Sequence, residues 1–191
     1  MESVKGTKTE QNLLKAFAGE SQARMRYNLY AKKAREEGYE QIAAIFLETA
    51  EQEAMHASRF FSCLDGGMVN IEAAYPAGPV GTTRENLKHA AEGENEEWSH
   101  LYPEFANVAE EEGFKKVAQL FRIIAKAEVT HENRYLKLME NIDSDRVFKS
   151  EDTVKWYCRK CGYVHESRNA PVTCPACLHQ KAFFEKMAEN Y

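Results

Sequence analysis

The chain has 191 residues, a length that suits one domain or one domain with a small appendage, and 43% of them are hydrophobic, enough for a real core. Its formal charge of −5, without a basic run, argues against a nucleic-acid binder. No apolar stretch reaches the roughly 18 residues of a membrane span, and Met1-Glu-Ser-Val-Lys5 lacks the apolar core of an export signal, so the expectation is a cytoplasmic protein.

Apolar spacing predicts four helices of about 25 residues each. The first carries Leu13, Phe17, Glu20, Arg24, Tyr27 and Ala31 on one face, and the second Ile42, Phe46, Thr49, Glu53, His56 and Phe60. Gly38 lies between them, where a left-handed helix cap meets least steric resistance. A long connection follows, Asp65 to Thr83, rich in glycine and proline. The third helix places Leu87, Ala90, Glu94, Glu97, Leu101 and Phe105 together, and Pro103 should kink or loosen it where the first helix has Leu29. Beyond Gly113 the fourth carries Leu120, Ile124, Ala127, Glu128, His131, Tyr135 and Leu138.

The two halves repeat. Asn12 to Glu20 aligns with Asn86 to Glu94, and Glu-Glu-Gly-Tyr39 with Glu-Glu-Gly-Phe114. The offset is 74 at Glu20/Glu94 and 75 at Glu53/Glu128, so one residue is gained between them. Each half contains Glu-x-x-His, Glu53 to His56 and Glu128 to His131, and residues three apart share a helix face. With Glu20 and Glu94 they supply four carboxylates and two imidazoles on apolar faces, the known ligand pattern of two-metal carboxylate bundles. Ionised groups in such stripes must be paired or bound to metal. Glu97 has Ala23 as its repeat partner, which makes the set asymmetric.

Helical periodicity stops near Asn141, which predicts a bundle over residues 1–146 and a second unit over 153–191. The second unit has aromatics around Cys158, Cys161, Cys174 and Cys177, two C-x-x-C pairs that can close a tetrahedral zinc or iron site and stabilise a tail too short for much core. It holds six Lys/Arg and three Asp/Glu, a net of +3, leaving −8 for the rest. Cys63 reads as a buried, inert thiol. His89, His100, His165 and His179 read as surface or packing residues, and Glu36-Glu37 and Glu110-Glu-Glu112 as solvated helix ends.

Cys158-Arg-Lys-Cys161-Gly-Tyr163 and Cys174-Pro-Ala-Cys177 resemble rubredoxin, a one-electron iron protein, with a shorter gap between the pairs. Joined to the preceding bundle, from about Thr7 to Phe184, the chain resembles the rubrerythrin family of non-haem iron peroxidases. The resemblance implies an all-α, ferritin-like four-helix bundle followed by a small, metal-stabilised β/loop rubredoxin-like domain. It further implies two irons in the bundle and one on the four cysteines. Glu53 and Glu128 would bridge, Glu20 and Glu94 would be terminal, and His56 and His131 would each hold one iron. Glu97 would replace a histidine on oxidation, and Tyr27 and Tyr102 would line the site. The implied reaction is reduction of hydrogen peroxide to water in oxidative-stress defence, with electrons from an external rubredoxin or NAD(P)H-dependent reductase. A head-to-tail homodimer would bring the tail of one subunit to the bundle of the other. Iron storage in a hollow shell is the competing reading, and the fused electron-carrying tail argues against it.

Overall fold

The structure is a computed structural model and describes residues 3–190. Helix α1 (Lys8–Glu36) and helix α2 (Glu40–Phe61) form one hairpin. The second comprises α3 (Thr83–Glu96), a π-helical turn (Glu97–Leu101), α4 (Tyr102–Glu111) and α5 (Lys115–Asp143). Both hairpins turn at the expected glycines, Gly38 at φ 82° and Gly113 at φ 88°. The amides of Tyr39 and Phe114 reach back to the carbonyls of Ala34 and Ala109, closing a Schellman cap at each turn.

The third predicted helix is continuous in direction but not in register. In the π-turn the amide of Tyr102 bonds to the carbonyl of Glu97, five residues back. A π-turn is how a helix accommodates one extra residue. The gained residue therefore lies between Glu94 and Tyr102, because Tyr27/Tyr102 already run at offset 75. Pro103 sits in the first turn of α4, where a missing amide is tolerated. Its repeat counterpart is thus Asn28, not Leu29, and the expected loosening takes the form of the π-turn.

Each hairpin caps the other. Glu112 accepts from Lys8 N (3.1 Å), Thr9 N (2.8 Å) and Thr9 Oγ1 (2.6 Å) at the start of α1. Its repeat partner Glu37 accepts from Thr83 N (2.9 Å) at the start of α3. The two are anionic caps and not simply solvated helix ends, and these bonds hold both carboxyls below their ordinary pKa in spite of partial burial. Arg24 also departs from the reading: it lies outside the ligand face, exposed, and pairs with Glu51 at 2.9 Å.

Two apolar clusters flank the mid-bundle, one on Tyr27, Phe46 and Tyr135, the other on Phe60, Tyr102 and Phe121. The glutamates of interest lie in the polar layer between them. The crossover from 62 to 82 runs over the α1–α3 groove, pinned where Tyr75 Oη donates to the carbonyl of Lys15 (2.9 Å). Cys63 is half-buried against the second cluster, so the expected full burial is not met. Among the described residues no helix is long and apolar enough to cross a membrane.

The tail is a three-stranded antiparallel sheet of order β2-β1-β3, with β1 Lys149–Cys158, β2 Val164–Asn169 and β3 Phe184–Lys186. Trp156, Phe184, Cys158 and Cys174 form its small core. It rests on the start of α2, with Phe148 stacked on Tyr39 and Ala182 Cβ placed 3.7 Å from where a side chain at Gly38 would begin.

Candidate metal centres

Two quartets of ligand atoms meet in the bundle: Glu20, Glu53, His56 and Glu128, and Glu53, Glu94, Glu128 and His131. Glu53 and Glu128 belong to both. His56 Nδ1 lies 2.9 Å from one oxygen of Glu53 and 3.0 Å from one of Glu128. The other oxygens of the same carboxylates lie 3.1 and 2.8 Å from His131 Nδ1. Each shared carboxylate therefore spans both imidazoles. Glu20 and Glu94 flank at 3.8 and 3.6 Å from His56 and His131.

These atoms are close without being hydrogen-bonded. Both oxygens of Glu53 and Glu128, one each of Glu20 and Glu94, and Nδ1 of both histidines are buried without a hydrogen-bond partner. Buried polar atoms are rarely left so. Atoms arranged in this way converge on shared centres, as metal ligands do, and the carboxylate and imidazole set suits iron, manganese or zinc.

Electrostatics describe the same requirement for cations. Burial, then the neighbouring carboxylates, raises Glu20 and Glu97 well above the carboxylate range and carries Glu94 to about 8. Burial opposes protonation of the histidines, but Glu128 and Glu53 hold His56 up at about 9 and, with Glu94, His131 at about 12. Against its own burial, Glu53 is held at about 2 by the two imidazoles. Without metal, the site gathers protons to offset its charge.

Tyr27 and Tyr102 are buried, and they cross the pseudo-twofold. Tyr27 on α1 donates to Glu94 on α3, and Tyr102 on α4 donates to Glu20 on α1. Burial and then the partner carboxylate push both phenols well up, so they remain donors. Glu97 stands outside both quartets, half-buried in the π-turn. That turn is clamped from behind, where Glu132 accepts from Trp98 Nε1 (2.6 Å) and Asn95 Nδ2 (3.0 Å). Glu132 was not singled out in the sequence, where its neighbour His131 carries the only motif signal.

In the tail, Sγ atoms of Cys158 and Cys177 are 3.8 Å apart and those of Cys161 and Cys174 are 3.7 Å apart. A tetrahedron with metal–sulfur bonds of about 2.3 Å has edges of about 3.8 Å. Each knuckle ends in a left-handed residue, Gly162 at φ 79° and Leu178 at φ 61°. Backbone amides of Tyr163 and His179 point at the sulfurs of Cys161 and Cys177, but without metal the crowded neighbouring thiols leave both raised, Cys161 to about 12. Against its burial, the amides of Cys177 and Ala176 bring the Cys174 thiol down to about 7. Such bonds favour thiolates and help set the potential of an iron–sulfur site.

A family model described as rubrerythrin matches residues 11–139, and one described as the rubredoxin-like domain of rubrerythrin matches residues 156–185. The chain belongs to the rubrerythrin family. It is 59% identical over 189 residues to a rubrerythrin of Porphyromonas gingivalis, covering 99% of this chain and 94% of that one. Rubrerythrin-1 of Clostridium acetobutylicum is 56% identical over 196 residues, with both chains fully covered. Among solved structures, nigerythrin in its fully reduced, all-ferrous state is similar with 34% identity and a TM-score of 0.64, covering 97% of this chain and 92% of that one. A Mycobacterium tuberculosis bacterioferritin shares the fold of the bundle, at 20% identity, TM-score 0.62 and 72% of this chain. As in the rubrerythrin family, the bundle cluster fits a di-iron centre and the four thiols fit a single iron.

Proposed function

We propose that this protein is a cytoplasmic peroxidase that reduces hydrogen peroxide to water, in defence against oxidative stress. The observation that carries the reading is the pair of carboxylates, Glu53 and Glu128, each facing both imidazoles, in one chain with a four-thiol electron carrier. When bound, two ferrous ions would supply the two electrons that the O–O bond takes as hydrogen peroxide and two protons become two waters.

In this reading Glu53 and Glu128 would be shared by the two metals, Glu20 and His56 would help hold one, and Glu94 and His131 the other. Tyr27 and Tyr102 hold protons on the carboxylates that flank the reacting centre. Their crossed arrangement places one phenol at each end. Glu97 is the asymmetric element. Once bound metal had displaced their protons, five carboxylates would give −5 against +4 for two ferrous and +6 for two ferric ions, so Glu97 would favour the oxidised state and make the reduced one a ready donor.

The four-cysteine centre relays single electrons from an external rubredoxin or NAD(P)H-dependent reductase. Its domain rests at the Tyr39 end of α2, and Glu53 lies fourteen residues further on, roughly 20 Å along the helix axis. Tunnelling falls exponentially with distance, so the reading includes a head-to-tail homodimer in which the basic tail of one subunit would meet the acidic bundle of the other. The decisive test is anaerobic. One equivalent of hydrogen peroxide is added to the fully reduced, iron-loaded protein while absorption of both centres is followed. Rapid oxidation of the bundle, then the ferric four-thiolate colour, is expected. If peroxide left the bundle reduced, the reading would be wrong.

A further inference from the structure

Beneath the crossover lies a cavity of about 790 Å³. A water-sized molecule needs roughly 30 Å³, so hydrogen peroxide would use little of it. Pockets of roughly 300–1,000 Å³ with mostly apolar walls and a few placed polar groups are those that hold small organic molecules. The walls here include Tyr30, Leu101 and Phe105 of the bundle and Ala74, Tyr75 and Pro76 of the crossover. Glu97 and Tyr102 stand in the same wall, which connects the cavity to the metal-ligand cluster.

Two helix-interior glycines lie in the cavity wall. Gly19 and its repeat partner Gly93 both line the cavity, although glycine weakens a helix relative to alanine. A Cβ at Gly19 would lie 3.7 Å from the Tyr75 ring and 4.0 Å from Glu97 Oε1, while at Gly93 nothing lies within 4 Å. A larger side chain at Gly19 would therefore project between the crossover and Glu97.

We propose that this cavity binds compact, neutral organic hydroperoxides, aryl or branched alkyl, and presents their O–O bond beside Glu97. The proposal rests on the peroxidase reading and names a further substrate class for the same site. ROOH takes two electrons and two protons. The O–O bond breaks, one oxygen leaves as water and the other stays on carbon as the alcohol. The electrons are those the reduced iron centre already supplies to hydrogen peroxide, and the protons come from solvent. Charge selects against anions: Glu72, Glu92, Glu96 and Glu104 surround the cavity with Glu97, against Lys15 and Arg26. Fatty-acid hydroperoxides are accordingly outside the class.

The test compares hydrogen peroxide with cumene hydroperoxide on the iron-loaded protein, and measures calorimetrically the binding of 2-phenyl-2-propanol, the alcohol product, to the oxidised holoprotein. Cumene hydroperoxide should be reduced with kcat/KM within about tenfold of hydrogen peroxide, and the alcohol should bind. Gly19→Leu should lower the ratio of the two kcat/KM values at least tenfold and abolish alcohol binding. Gly19→Ala, which a helix accepts readily, should move both in the same direction by a smaller amount. Reduction of hydrogen peroxide alone, with no alcohol bound, would overturn the proposal and leave the peroxidase reading intact. So would equal losses on both substrates in the variants. If neither peroxide were reduced the peroxidase reading would fail with it, and saturable alcohol binding lost in Gly19→Leu would still establish the cavity as a binding site.

Discussion

Replacing Glu112 by alanine should cost more than its position in a turn suggests. The carboxylate takes three hydrogen bonds at the start of α1, two of them from Thr9, which is fully buried. Without Glu112 the buried Thr9 donors lose their partner, a penalty of about 1–3 kcal/mol. Loss of an anion at a helix N-terminus adds about 0.3–1 kcal/mol, so Glu112→Ala should destabilise by about 2–4 kcal/mol. Glu37→Ala removes one such bond, from Thr83 N, and should cost about 1–2 kcal/mol. The exposed neighbour Glu111 is the control, with a change within about 0.5 kcal/mol. Equally metal-loaded variants would be compared by denaturant unfolding, with amide exchange in the first turn of α1 as the local readout. The pH dependence has a definite sign. Because the folded pKa of Glu112 is depressed, its contribution is complete above the unfolded value of about 4.3 and disappears as pH falls through the folded one. The gap between wild type and Glu112→Ala should therefore close in acid. A gap that persists at low pH, or a Glu112→Ala cost no larger than that of Glu37→Ala, would refute the cross-capping argument.

Tyr27→Phe and Tyr102→Phe should each slow peroxide turnover tenfold or more, in line with the worth of a positioned proton donor, while leaving a buried oxygen of Glu94 or Glu20 unpaired; stopped-flow rates unchanged from wild type would remove the tyrosines from the mechanism. Iron uptake by the metal-free protein should release protons and strengthen as pH rises from 6 to 9, because the ligands must lose protons that the neighbouring carboxylates keep on His56 up to about 9 and on His131 up to about 12, and that burial keeps on Glu94 up to about 8. Calorimetry in buffers of different ionisation enthalpy reads those protons, and pH-independent uptake would contradict the charge reading. Glu97→Gln should raise the di-iron potential, since it removes negative charge that favours the ferric state; a potentiometric titration showing no rise would mean Glu97 does not act through charge. A mixed dimer of one subunit lacking the tail cysteines and one lacking the bundle glutamates should turn over peroxide, and a dead one would place electron transfer within a single subunit.

The ligand constellation was legible in the sequence because its parts sit at fixed helical spacing and occur twice. Glu53 and His56 share a face for any helix, and Glu128 and His131 repeat the statement. The four thiols were legible for a similar reason, since C-x-x-C constrains both sulfurs locally. What stayed hidden depends on how the halves meet. Tyr27 could be placed beside its own Glu20 by spacing, but it bonds Glu94, and only packing decides that. Glu37 and Glu112 looked like solvent-facing charge because their partners lie 46 and 103 or 104 residues away. The one-residue shift in the repeat was visible, yet its place was not: Pro103 drew attention to itself, while the extra residue is absorbed just before it, between Glu97 and Leu101.

That π-turn bears on why the two hairpins are joined. Identical hairpins assembling as separate molecules would carry every change in duplicate, so any acidic residue gained at one end of the metal pair would appear at the other. Within one continuous chain the second hairpin can accept a residue that the first lacks. The pair of metals thereby gains a distinguishable front and back: Glu97, at the start of the π-turn, and the cavity lie on one side, where the first hairpin has Ala23. Covalent linkage thus releases the two halves from enforced sameness, and one exchanged residue beside one added residue is enough to give a near-symmetric container a direction.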